Sequence, residues 1–385
     1  MLVSNRLHKV TAVLLTITGV FVASNIYTLI PIYEAISKSL HIGQNQVVFA
    51  GSLFSFFYAL GLLYFGPASD KFGRRRIILF GMFASVLSTM AVGFSDNLIS
   101  LYVSRSLQGL TLGSFAPVAF AYSFDLFTPK NRTLFLVFIN TGFLMAGIFG
   151  QLISSSITLH FQWEYVFYFF ALCYLLLFVC GFMIYPKTKL PIDEKKSMIT
   201  IMGKLIRNKL LLRCYGITFT LLFSFVAFYD ALGRFFAGAQ EQLFILRAIG
   251  LTGAVLSLFT GKFIDYFGVD KTMFAGFLIG AGSLFPLLFI SNSAAFMFSS
   301  IFFVASISIL IPTVITLIGS LGGVHRAKAL SLYSFFLLTG TSFASPVAIM
   351  LSFRQILALL IGFFLLNLIS GSYISKEIRK AEINI

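Results

Sequence analysis

Along most of this chain apolar residues come in runs of about 20, and each run ends at a short polar segment that carries most of the nearby charge. The runs do not alternate residue by residue as barrel strands do. They are long enough for a helix to cross a hydrocarbon layer of roughly 30 Å. Twelve spans are expected, at about 10–33, 45–66, 76–94, 98–123, 132–156 and 164–185, then 210–230, 242–261, 271–291, 295–318, 328–351 and 355–374. A helix satisfies its own backbone hydrogen bonds in lipid, so the pattern predicts an all-α integral membrane protein. Most connections are too short to hold an extramembrane domain. The exception, 186–209, is polar and lysine-rich. It reads as a cytoplasmic linker between six-helix bundles at 1–185 and 210–385.

Composition agrees, with 58% of the 385 residues hydrophobic and 11% charged. The net charge of +15 then needs a location rather than a polyanionic ligand. On the span map all but five of the 28 Lys and Arg fall on one face, including Arg6, Lys9, Arg74 to Arg76, Lys130, Arg132, the linker, Arg326, Lys328 and the tail from Lys376. Lys38, Arg234 and Arg354 lie opposite, and Arg105 and Arg247 lie within the membrane. Basic residues resist translocation, so the crowded face is cytoplasmic and holds both termini of a multi-pass cell-membrane protein. The charge is scattered over loops with no folded platform, which excludes nucleic-acid binding. The apolar run after Lys9 is too long for a secretory signal and lacks a small-x-small cleavage site, so it is read as a retained first helix. Cys173, Cys180 and Cys214 have no metal-ligand spacing and are expected to be free thiols, with no metal site.

The chain also repeats itself. Glu34 matches Asp230 at an offset of 196, Gly66 and Asp70 match Gly261 and Asp265 at 195, Pro117 matches Pro312 at 195, and Arg132 matches Arg326 at 194. Four matches in order at a near-constant spacing point to two parallel copies of a six-helix unit.

The first loop supplies the sharpest motif. Gly66, Asp70, Gly73, Arg74, Arg75 and Arg76 fill the pattern G-x-x-x-D-x-x-G-R-(K/R)-(K/R) between spans 2 and 3. Span 4 carries Leu101, Arg105, Gln108, Gly109 and Gly113 in the spacing of a second motif, and Gln162-Trp163-Glu164 precedes span 6 as an interfacial aromatic anchor. On these motifs the chain resembles the major facilitator superfamily over nearly its whole length, in particular its 12-helix drug or metabolite:proton antiporter branch. The resemblance implies that spans 1, 4, 7 and 10 line a central cavity and that two bundles rock to open it to each side in turn. It assigns the first loop to a cytoplasmic gate built from Gly66, Asp70, Gly73, Arg74 and Asp125, where Arg74 would pair with Asp125. The glycines are expected to let backbones approach closely. Gly261 and Asp265 form a weaker copy, because Val269 and Asp270 stand where arginines would be. Arg75 and Arg76 are expected to anchor span 3 to headgroups.

An arginine at a helix centre is costly, about 2.5–3.5 kcal/mol on insertion scales, so Arg105 and Arg247 call for partners. Arg247 could pair with Asp230 or Glu241. Arg105 could bind an anionic group of the substrate or tune a carboxylate such as Glu34. The sequence has no nucleotide-binding loop and no soluble domain to hold a nucleotide, so transport without a cofactor, driven by an ion gradient, is expected, with the proton as the default ion. Glu34, Asp230 and Arg105 are the coupling candidates. Phe21, Asn25, Tyr27, Arg105, Phe115 and Phe225 are the expected cavity lining. No residue has a catalytic role. The span 5 antiporter motif survives only as Gly142, Ala146, Gly147 and Gly150, without its proline. The expected function is efflux of a small amphipathic or anionic molecule by a monomer whose partners are that substrate and the bilayer. A sugar or organic acid importer of the same fold is the alternative, and a lipid flippase or membrane sensor is the alternative from another class.

Overall fold

In the computed structural model, residues 2–188, 198–236, 240–290 and 292–383 are described, and they are almost entirely helical. The part of the expected linker at 189–197 lies outside them. The chain divides into two compact units, residues 1–195 and 196–385.

The first unit contains α1 (Leu2–Ser24), α2 (Tyr33–Ser39), α3 (Gln44–Phe72), α4 (Arg74–Gly93), α5 (Leu98–Leu112), α6 (Phe115–Leu126), α7 (Pro129–His160) and α8 (Glu164–Ile184). The second contains α9 (Met198–Arg207), α10 (Lys209–Phe235), α11 (Gln240–Gly250), α12 (Thr260–Leu284), α13 (Ser293–Leu321), α14 (Arg326–Met350) and α15 (Phe353–Ile383). Among the described residues nine helices are long and apolar enough to cross a bilayer, and the bent pair Ile245–Leu256 and Thr260–Phe267 makes a tenth. The two other expected spans correspond to α5 with α6, and to the 32-residue α7.

Each unit repeats one internal arrangement. In the first, α1 packs on α7, α3 on α5 and α4 on α8. In the second, α10 packs on α14, α13 on α12 and the 3-10 segment before it, and α12 on α15. In span numbers these are 1 with 5, 2 with 4 and 3 with 6, then 7 with 11, 8 with 10 and 9 with 12. The duplicated sequence therefore makes the same three pairings twice.

Local chemistry repeats as well. Asn97 Oδ1 accepts the amide of Ser100 at 2.9 Å and starts α5, and Asn292, 195 residues on, accepts the amide of Ala295 at 2.8 Å and starts α13. Gly73 ends α3 with φ of +94°, and Gly268, again 195 residues on, breaks α12 with φ of +85°. Only glycine takes that conformation without strain, so the turn itself requires a glycine there. A methyl group at Gly261 would meet nothing within 4 Å, so close approach does not explain that glycine.

Three expected helices are interrupted. Span 1 stops at Ser24 and continues through a turn into a 3-10 segment, Ile30–Ile32, where Pro31 has no amide proton to give the Tyr27 carbonyl, which accepts the Ile30 amide at 3.3 Å instead. Span 4 breaks at Gly113 and Ser114. Span 8 includes nine residues of 3-10 helix, Leu251–Phe259. Trp163 is 2% exposed and meets Phe167 edge to face, so it is packing rather than the interfacial anchor that the sequence suggests.

Candidate functional site

The site begins with glycines. A Cβ at Gly109 would lie 2.2 Å from the Phe54 carbonyl oxygen, and one at Gly113 would lie 2.5 Å from that of Tyr58. Helices α5 and α3 therefore touch backbone to backbone, and no larger side chain would permit it. This contact brings the Phe54 ring to Arg105, whose guanidinium carbon stands 4.1 Å from the ring centroid. Phe167 of α8 faces the same group at 5.9 Å.

One turn along α5, Gln108 accepts a hydrogen bond from Arg105 Nη1 at 2.5 Å. Its own amide donates to Asn25 Oδ1 at 2.9 Å and to the Thr89 hydroxyl at 3.0 Å. Asn25 donates in turn to the Tyr174 hydroxyl, which donates to the Phe21 carbonyl at 3.0 Å. Where α1 breaks, the Asn25 carbonyl accepts from Arg105 Nη2 at 3.4 Å. One network thus ties α1, α4, α5 and α8 together. Arg105, Gln108, Asn25 and Thr89 are all fully buried.

The charge balance of this network is its main chemical feature. Among the described residues no carboxylate stands within ion-pair distance of Arg105, and its Nε has no hydrogen-bond partner. Arginine stays ionised, so the first unit encloses a cation balanced by carbonyl oxygens and ring faces alone. Such a centre attracts an anion, and its planar fork suits a carboxylate, phosphate or sulfonate.

Other predicted residues fall elsewhere. Glu34 is on α2 in an exposed pair with Lys38 at 2.6 Å, which holds its carboxyl below the usual range through a hydrogen bond and charge. The structure does not bring it to Arg105. Phe21 is half-buried, edge-on to Phe149 and Phe170, and Tyr27 is half-buried beside Gly147. Phe115 is buried and packs rather than presenting a face. In the second unit Phe225 meets Tyr229 edge to face, and Asp230 is buried with Oδ1 3.6 Å from Arg234 and Oδ2 without a hydrogen bond. Ser345 stands beside that carboxylate. Arg247 donates to the Tyr229 carbonyl at 3.3 Å. The side chain of Glu241 lies outside the described residues.

At the loop motif, Arg74 Nε meets Asp125 Oδ2 at 2.5 Å while its Nη1 meets Asp70 Oδ1 at 3.1 Å. Gly66 contributes a carbonyl that accepts the Ser69 hydroxyl at 2.6 Å. Arg75 is not a headgroup anchor. Its Nε and Nη2 donate to the carbonyls of Tyr185 and Phe182 at 2.7 and 2.6 Å and cap the C-terminal end of α8. In the second copy Asp265 is exposed and makes no ion pair among the described residues, whereas Asp270, in the place of Arg75, meets Arg379 of α15 at 3.5 Å. Residues 75 and 270 thus tie equivalent helices together with opposite charges.

The family model for the Major Facilitator Superfamily matches residues 15–243, more than half of the chain. The chain belongs to the major facilitator superfamily. Its relatives in this superfamily include an MFS-type transporter of Bacillus subtilis, YybF, 25% identical over 87% of this chain and 86% of that protein. A bicyclomycin resistance protein homolog of Haemophilus influenzae is 28% identical over 51% of this chain and 50% of its own length. Multidrug resistance protein D of Escherichia coli is 23% identical over 69% and 75%. As a superfamily member the chain is a multi-pass secondary transporter and not an enzyme.

Within the Arg105 network, Gln108 belongs to the span 4 motif, but its spacing there assigns it no role. Thr89 and Tyr174 are not legible in the sequence, because a threonine or tyrosine in an apolar run carries no signal until the facing helix is known.

Proposed function

We propose that this transporter exports a small amphipathic or anionic molecule, driven by a proton gradient, with both chain termini on the cytoplasmic side. The buried, carboxylate-free Arg105 carries the reading. A cation held by Gln108 and Asn25 and flanked by Phe54 and Phe167 offers a substrate one charge-assisted contact and apolar faces around it. That combination fits an amphipath with one acidic group. The relatives named for multidrug and bicyclomycin resistance support outward transport. The basic residues crowded on one face support the orientation.

Coupling falls to Asp230. It is buried, its arginine stands at 3.6 Å rather than in close contact, and one oxygen is open to a proton. Glu34, exposed and already paired with Lys38, lacks the desolvated setting a carrier needs. Energised everted vesicles test the proposal with a matched pair of fluorescent amphipaths, one sulfonated and one quaternary ammonium. Accumulation of the anion, reduced in Arg105→Lys, is expected. Uptake of the cation alone, or net flux in the import direction, would overturn it.

A further inference from the structure

The ten residues of α9, Met198–Arg207, form a helix whose apolar and polar residues separate by face. Ile201 and Leu205 are buried against the second unit, where α9 packs on α10 and α14. About a third of a turn away, Met202 is half-buried and Ile206 is 38% exposed, so a second apolar stripe is only partly covered and leaves Ile206 open. Thr200, Lys204 and Arg207 occupy the remaining face, and all three are exposed.

The depth of this helix is fixed by its neighbour. After Arg207 only Asn208 intervenes, and its Oδ1 accepts the amides of Leu210 and Leu211 to start α10. The candidate membrane span of α10 begins at Lys209. Lys204, Arg207 and Lys209 therefore stand where the chain enters the bilayer. From Thr200 to Tyr229 there is no acidic residue. Lys204, Arg207 and Lys209 make no ion pair among the described residues. Arg213 lies one turn deeper, over the Tyr373 ring at 4.0 Å.

We infer that α9 lies in the headgroup layer of the cytoplasmic leaflet and binds anionic phospholipid, with Lys204, Arg207 and Lys209 on the phosphates and Ile206 among the acyl chains. The exposed Ile206 next to the basic face selects a lipid over a soluble polyanion, which has no apolar part for Ile206 to meet. The inference shares with the proposed function only the assignment of the cytoplasmic side and does not depend on the substrate.

The full chain in neutral detergent, titrated with dioleoyl phosphatidylglycerol or phosphatidylcholine and read by native mass spectrometry, tests it. Each basic residue near an anionic surface changes affinity by roughly fivefold. The preference for phosphatidylglycerol should therefore fall roughly 25-fold in Lys204→Gln/Arg207→Gln and stay unchanged in Lys38→Gln/Arg354→Gln. In nanodiscs, doxyl-labelled acyl chains should quench Ile206→Trp beyond the signal of Trp163 and should leave Thr200→Trp unaffected. An unchanged lipid preference in the first pair, equal quenching at 200 and 206, or displacement of the lipid by millimolar inorganic phosphate would each overturn it.

Discussion

Replacing Arg105 by methionine should remove transport of an anion while leaving the fold almost as stable as before. Removing the guanidinium relieves the desolvation cost of a fully buried cation, about 3 kcal/mol. Against that relief stands the contact with Phe54 at 4.1 Å, about 2 kcal/mol for a desolvated cation–π pair. Gln108 also loses its donor, which costs about 1–3 kcal/mol for a buried acceptor left without a partner. Methionine fills most of the space, so no large cavity term is added. The net change is within about 2 kcal/mol of zero, a few degrees in a melting experiment. Loss of a charge-assisted contact to substrate, about 1.5–3 kcal/mol, predicts a roughly 10- to 100-fold fall in anion uptake. The assays are thermal melting of the purified protein and uptake into everted vesicles. A melting point lowered by more than about 10 °C would mark Arg105 as structural. Unchanged anion uptake would remove it from the site.

Three further outcomes follow from the same geometry. Asp125→Asn should lower stability by about 1–2 kcal/mol, because the half-buried carboxylate meets a nearly buried Arg74, while the more exposed Asp70→Asn should cost less than about 1 kcal/mol; melting of the two variants checks the order. Gly73→Ala and Gly268→Ala should each cost about 1–2 kcal/mol through left-handed backbone strain, and Gly282→Ala, with open space around it, should be neutral or slightly stabilising by less than about 1 kcal/mol in the same assay. Glu34→Gln should leave the pH profile of transport unaltered between pH 6 and 8. The Glu34 carboxyl is lowered by Lys38, so the pair is intact above the ordinary carboxylate range and weakens only as pH falls through the lowered value; a profile shifted near neutrality would return Glu34 to the coupling machinery.

Much of this fold is legible in the sequence for one physical reason: lipid forces apolar residues into runs of helix length, and a duplicated chain repeats its caps and turns. Asn97 and Asn292, like Gly73 and Gly268, keep their roles 195 residues apart. The Arg74 and Asp125 pair is readable because the family resemblance supports it and both residues are expected at helix ends on one face. Tertiary choices are less readable. An apolar run looks the same whether it winds as α or 3-10 helix, so the interruption at Leu251–Phe259 leaves no trace in composition. Arg75 reads as a headgroup anchor until the carbonyls of Phe182 and Tyr185 are found in front of it. The segment around Lys204 reads as polar linker because its lysines dominate, although the spacing of Ile201, Leu205 and Ile206 already separates an apolar face. The Arg105 network lies furthest from the sequence. It depends on which helix faces meet, and those faces are set by Gly109 and Gly113 against α3.

We propose that proton movement drives an acidic amphipath through this protein. The most direct test is purified chain in proteoliposomes, with an imposed pH gradient and a sulfonated fluorophore as cargo. Accumulation above the external concentration, collapse on adding a protonophore, and gradient-independent flux in Asp230→Asn are the expected results. Equal wild-type flux with and without the gradient would contradict the account.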